Sequence, residues 1–148
     1  MTAVAGSVSR AIVAISVLVV GPATVGAEQP PLTSVEAHTL ARRGKLLILD
    51  VRSPVEWRRT GLPAGAVAID RDVPIEQLFA RVDRLTRHDK AARIAVICAV
   101  GVKSAEVRTN LEVAGYSNVR DIADGIDGNA TGPGWLASRL PVKRWSAK

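Results

Sequence analysis

Two hydrophobic patterns take turns along this chain: short continuous apolar runs and longer segments with helical spacing. Leu46-Leu47-Ile48-Leu49 is a continuous run, the pattern of a strand covered on both faces, with Asp50-Val51-Arg52 at its carboxyl end. Ala66-Val67-Ala68-Ile69, Arg93 to Ile97, and Asn118-Val119-Arg120-Asp121-Ile122 predict three more strands. Between them lie helices. Thr33 or Ser34 can cap one running from Val35 to Arg43, which Gly44 stops. Ser53 followed by Pro54 begins a short helix through Trp57, and Thr60 to Gly65 is a loop. Val73 to Leu85 places Ile75, Leu78, Phe79, Val82 and Leu85 on one face. Lys103 to Ala114 turns Val107, Leu111 and Val113 inward and ends at Gly115. Strands alternating with helices predict an α/β fold whose parallel sheet is covered on both sides. No repeat or heptad interrupts the pattern.

The first residues do not join it. One charge, Arg10, precedes the apolar run from Ala11 to Val20; Gly21-Pro22 breaks the run, and small residues Val25-Gly26-Ala27 precede Glu28. That layout predicts a secretory signal peptide over residues 1–27, a linker over 28–32 and one domain over 33–146. The run is shorter than the roughly 20 residues of a membrane span, so membrane attachment requires the segment to stay uncleaved. The expected location is therefore outside the cytoplasm, periplasmic or secreted.

The 148 residues are 47% hydrophobic and 23% charged, which suits one ordinary globular domain. The net charge is +6, but Lys and Arg are dispersed and aromatics are only 3%, which argues against nucleic acid and favours small anions. His38 and His88 read as surface histidines without companions, so no metal site and no cofactor is expected.

The chain has a single cysteine, Cys98, set between the third strand and the Lys103 helix. An internal disulfide is impossible, and a spare thiol in an oxidising compartment is a liability unless it is used. The arrangement aims the thiol at the N–H groups and positive end of a helix, which favours the reactive thiolate. The plainer alternative is a small hydrophobe at the end of a core strand.

The residues around it resemble a known family. Asp50-Val51-Arg52-Ser53-Pro54-Val55-Glu56-Trp57 with Gly61-Leu62-Pro63-Ala64-Gly65-Ala66 resembles the first signature of rhodanese domains. Cys98-Ala99-Val100-Gly101-Val102-Lys103-Ser104 resembles their active-site loop, and the likeness continues through Leu111 to Val119 and Asp124-Gly125-Ile126. The resemblance implies a sulfurtransferase that holds a persulfide on Cys98. Backbone N–H groups of Ala99, Val100, Gly101, Val102 and Lys103 would cradle the charged sulfur, with Gly101 permitting the curl. Lys103 adds a cation for an anionic donor such as thiosulfate, and Ser104 is expected to cap the helix. Asp50, Arg52 and Glu56 are expected as structural support, with Arg52 and Glu56 spaced for an ion pair. The acceptor would be cyanide, a thiol or a protein.

Apolar Ala99 and Val100 replace the arginine that many such loops carry after the cysteine, which leaves room for a persulfide or protein donor. Ser104 stands where related phosphatase loops place arginine, which disfavours phosphatase chemistry. Gly101-Val102-Lys103-Ser104 lacks the glycine that a phosphate loop needs before lysine, and Gly132-Pro133-Gly134 follows no strand. Trp57, Trp135 and Trp145 are expected in the core or at its rim, Trp135 near the loop mouth. The competing function is a module without turnover that binds a partner or senses sulfur or redox state through Cys98.

Overall fold

The computed structural model describes residues 29–146, together with Thr2. The segment read as a signal peptide lies outside the described residues. In chain order the elements are α1 (Ser34–Arg42), β1 (Leu47–Asp50), α2 (Pro54–Thr60), β2 (Leu62–Pro63), β3 (Ala66–Ala68) and α3 (Ile75–Thr86), then β4 (Ile94–Ile97), α4 (Val102–Val113), β5 (Val119–Asp121), α5 (Gly134–Ala137) and β6 (Val142–Lys143). Four strands form one parallel sheet in the order β3-β1-β4-β5. This is the α/β fold that the alternating pattern predicts.

β4 sits inside the sheet, and its alternation decides what each face buries. Ile94, Val96 and Cys98 join Leu49, Val51, Leu78, Val82, Val107 and Leu111 on the side covered by α3 and α4. Ala95 and Ile97 join Ile48, Ala37, Ile122, Ile126 and Trp135 on the side covered by α1 and α5. Each large aliphatic side chain removed from water in this way contributes about 1.5–3 kcal/mol. A strand buried on both faces must be apolar throughout, which is why the run was visible in the sequence.

Several expectations need correction. Ile75 and Leu85 are 37% and 39% exposed because only the middle of α3, Leu78 and Val82, lies over the sheet. Val113 is 84% exposed: Val107 and Leu111 are four apart on one face of α4, and two further residues turn the side chain away. The loop from Thr60 to Gly65 contains β2, which pairs antiparallel with β6. Leu32, assigned to the linker, is buried and bridges Ile122 beside β5. Trp135 is fully buried with its Nε1–H on the Pro141 carbonyl, in the core rather than at a loop mouth. His38 is half-buried, packed edge-on against Trp135 with ring centroids 5.5 Å apart, so it is not a free surface histidine. His88 does lie at the surface, 77% exposed. Trp145 packs on Trp57 at 5.2 Å.

Candidate active site

In a parallel sheet every strand delivers its carboxyl end to the same edge, where loops can converge. Register places Asp50 opposite Ile97 and Val96 opposite Asp121, so the ends of β1, β4 and β5 meet there. Cys98 follows β4 directly, and α4 begins four residues later.

The turn between them is held by the segment after β5. The N–H of Ile126 donates to the Cys98 carbonyl at 3.0 Å, and the N–H of Asp127 donates to the Ala99 carbonyl at 2.9 Å. Asn129 Nδ2 donates to the Val100 carbonyl at 2.9 Å and to the Ala123 carbonyl at 2.7 Å. Three successive carbonyls therefore point one way. Because each trans peptide is planar, the N–H groups of Ala99, Val100 and Gly101 point the other way. These amides, with those of Val102 and Lys103, donate to no carbonyl or carboxylate among the described residues. They are the unfilled donors of a helix N-terminus, extended back along the loop.

Two glycines make this approach possible. A Cβ on Gly101, whose φ is +85°, would stand 2.3 Å from the Ala123 carbonyl oxygen. One on Gly125, at φ +62°, would stand 2.5 Å from that of Ala99. Both positions need the left-handed region as well as the space.

Cys98 is 2% exposed, and its flank at the surface is apolar, with Val100 45% and Val102 70% exposed. Ser104 is fully buried, and its hydroxyl donates to Cys98 Sγ at 3.4 Å. Ser104 does not cap the helix. Gly101 takes that position with no side-chain bond, so α4 starts early enough to turn Ser104 inward. Lys103 is 58% exposed and pairs with Glu106 at 3.3 Å. It borders a groove of about 490 Å³ between α3 and α4 that Arg71, Asp72 and Ile75 also line.

Asp50, Arg52 and Glu56 are divided by the structure. Asp50 and Arg52 form a buried pair at 2.7 Å, with side chains 0% and 1% exposed. Arg52 also donates to Thr60 Oγ1 at 2.7 Å and to the Gly61 carbonyl at 2.8 Å. Among the described residues Arg52 and Glu56 do not form the expected ion pair with each other; Arg52 pairs with Asp50 and Glu56 lies 3.6 Å from Arg71. Glu56 instead turns back to Ser53, accepting from its N–H at 3.0 Å and its hydroxyl at 2.7 Å, while Ser53 Oγ accepts from the Glu56 N–H. That reciprocal cap fixes the start of α2. Burial pushes Glu56 up, but the Ser53 bonds and the charges of Arg71 and Arg52 overcome it and hold the carboxyl below its ordinary value.

Asn129 and Asp124 were not singled out as site residues. Asp124 is buried and accepts from the N–H and hydroxyl of Ser34 at 2.9 and 2.8 Å, tying α1 to the clamp segment. Asn129 Oδ1 accepts from the Thr131 N–H at 2.7 Å, a local turn that asparagine favours and that its neighbours hint at. Asn129→Ala should free the Val100 carbonyl, lower stability by about 1 kcal/mol and speed amide exchange in residues 99–103. Hydrogen exchange read by mass spectrometry checks this; unchanged exchange there would show that the loop stands without the clamp.

The family profile of the rhodanese-like domain matches residues 33–130, from the cap of α1 to the clamp. The chain belongs to the rhodanese-like family. This rhodanese-like domain is similar in fold to the polysulfide-sulfur transferase homodimer of Wolinella succinogenes, with 22% identity, a TM-score of 0.61 and coverage of 80% of each chain. A thiosulfate sulfurtransferase of Pseudomonas aeruginosa is 26% identical with a TM-score of 0.58; the match covers 78% of this chain and 20% of that one. A curated, uncharacterized protein of Rickettsia prowazekii is 25% identical over 111 residues, 70% of this chain and 88% of its own length. The family match and these neighbours fix the fold, and two of the solved neighbours are named as sulfur transferases.

Proposed function

We propose that this rhodanese-like protein moves sulfane sulfur through a persulfide on Cys98. The observation that carries the reading is the loop itself: a sulfur that accepts from the Ser104 hydroxyl, followed by backbone amides that donate to no carbonyl among the described residues. Such donors hold a negative sulfur without committing a charged side chain. The Cys98 thiolate attacks the outer sulfur of thiosulfate, forming the S–S bond of Cys98–S–S⁻ as the donor's own S–S bond breaks and sulfite leaves with that electron pair. Cyanide or a thiolate then attacks the outer sulfur, and the pair in the S–S bond returns to Cys98. No net redox change and no cofactor is required.

Burial shapes the substrate. With Cys98 only 2% exposed, a donor must present a terminal sulfur on a narrow stem, as thiosulfate and small persulfides do. The same burial favours the second reading, a module that binds or senses without turnover. Assaying the purified protein with thiosulfate, polysulfide and a low-molecular-weight persulfide separates the two: turnover with none of them, and no bound sulfur, leaves the second.

Lys103 gives a further expected result. Its pair with Glu106 is exposed and worth little, so the ammonium is available to an approaching anion. Lys103→Ala should weaken thiosulfate use by about two- to fivefold, leave a neutral persulfide donor nearly untouched, and matter less at high salt. Steady-state kinetics at two ionic strengths measure it. Equal losses for both donors would assign the effect to loop geometry.

A further inference from the structure

Beside the stripe of α3 that buries Leu78 and Val82 runs a second one of different character. Gln77, Ala80, Arg81 and Arg84 recur at helical spacing and line a cleft of about 420 Å³. Arg81 and Arg84 are exposed, and neither guanidinium makes a hydrogen bond or ion pair among the described residues.

The wall across from them is aromatic. β6 pairs with β2, Leu62 opposite Lys143, and the tail that follows lays Trp145 on Trp57 with ring centroids 5.2 Å apart and planes at 53°. The Arg58 guanidinium lies 5.6 Å from the Trp145 ring and helps to hold the tail there. Trp57 is only 3% exposed, and its Nε1–H is buried without an acceptor among the described residues. At the end of β3, Ala68 and Asp70 complete the lining, so the cleft carries two guanidinium groups against one carboxylate. Asp70 is already engaged by the Asp72 N–H at 3.0 Å. Strand order puts β3 at the sheet edge with β1 between it and β4, and neither Cys98 nor its loop lines the cleft.

We propose that this cleft binds a small planar acid, a carboxylate on an aromatic body, at a site separate from the sulfur loop. Its volume falls within the about 300–1,000 Å³ of small-molecule sites, and its lining joins apolar walls to a few polar groups, as such sites do. The two uncommitted guanidinium groups stand one turn apart and present planar forks that match a carboxylate. The tryptophan pair and the small side chains of Ala68 and Ala80 take the flat body, which gains most against an aromatic face. The excess of positive charge disfavours a planar base, and an inorganic anion gains nothing from the rings. Sulfur transfer at Cys98 plays no part in the inference.

Titration of the purified, nitrogen-15-labelled protein with 2-naphthoate tests this through the indole N–H signals of its 3 tryptophans. Those of Trp57 and Trp145 should shift together and saturate with a Kd of about 1 mM or below. Trp135, whose Nε1–H is held by the Pro141 carbonyl at 3.0 Å, should stay in place, as should the amides of residues 99–103. Naphthalene-2-carboxamide has the shape without the charge, and sulfate the charge without the rings; each should bind about tenfold or more weakly. Arg81→Gln with Arg84→Gln keeps good helix formers on an exposed face and should weaken 2-naphthoate by about tenfold. Unmoved Trp57 and Trp145 signals at about 10 mM 2-naphthoate would overturn the site. Carboxamide or sulfate binding as tight as the acid would overturn the ligand class, and undiminished affinity in the double-arginine variant would overturn the seat of the carboxylate. Shifts confined to residues 99–103 would place the acid on the sulfur loop and overturn the separate site as well.

Discussion

Cys98→Ser is expected to leave the fold intact and abolish sulfur transfer. The substitution replaces one buried atom by a smaller one at the end of β4, where Ser104 can still donate to a hydroxyl oxygen, so the core on the α3 and α4 side keeps its shape. The chemistry cannot survive in the same way. An alkoxide is far less accessible than a thiolate at neutral pH, and its sulfur adduct would require an S–O bond that thiophilic acceptors do not reproduce in turnover. Cysteine occurs once in the chain, so no second thiol can take over. Wild-type protein incubated with thiosulfate should gain the mass of one sulfur atom, and cyanide should remove it with release of thiocyanate. Cys98→Ser should show neither event, a loss of at least about a thousandfold in kcat/KM, or some 4 kcal/mol of transition-state stabilisation. Thiocyanate formation at wild-type rate by this variant would end the proposed mechanism. Circular dichroism and a thermal melt separate lost chemistry from lost structure.

How much of this was legible in the sequence depended on how local the determining contacts are. β4 showed itself because Ile94-Ala95-Val96-Ile97 lies wholly inside the protein and tolerates nothing polar. The capping of α2 was visible as Ser53-Pro54 three residues before Glu56, since a helix start is written within one turn. By contrast β2 is two residues long, one of them Pro63, and exists only because Val142 and Lys143 return to pair with it. Glu56 and Arg52 stand at a good spacing for an ion pair, yet each has a better partner nearby: Asp50 offers both carboxylate oxygens to Arg52 inside the core, and Ser53 holds Glu56. Ser104 illustrates the limit at the site itself. Its position near a helix start suggested a cap, but Gly101 at φ +85° begins α4 earlier, and this single backbone choice converts a cap into a donor to sulfur. Asn129 reaches a carbonyl 29 residues away, a contact that no window of sequence contains.

The buried pair at the end of β1 carries the largest expected effect on stability. Asp50 and Arg52 are both closed off from water, and every strong bond of the Asp50 carboxylate comes from Arg52: its N–H at 3.1 Å, its Nε–H at 3.0 Å and its terminal nitrogen at 2.7 Å. Removing the guanidinium leaves a carboxylate in the core with one backbone donor, and strips one donor each from the Thr60 hydroxyl and the Gly61 carbonyl at the end of α2. Breaking a buried pair from one side costs about 3–5 kcal/mol, a large part of the 5–15 kcal/mol that holds a typical domain together. Arg52→Ala should therefore lower Tm by about 10–20 °C. Arg52→Lys should recover little of it, because an ammonium cannot present the fork that spans Asp50 and Gly61 at once. Replacing both partners, as in Asp50→Leu with Arg52→Met, should cost less than Arg52→Ala alone, since no unpaired charge remains buried. The three melts together decide the matter: an Arg52→Ala protein that unfolds within about 2 °C of wild type would show that the pair contributes nothing net. Kinetics below the lowered Tm then locate its role. Neither side chain is bonded to Cys98, Ser104 or the amides of the loop, so the folded fraction of Arg52→Ala should transfer sulfur at nearly the wild-type rate.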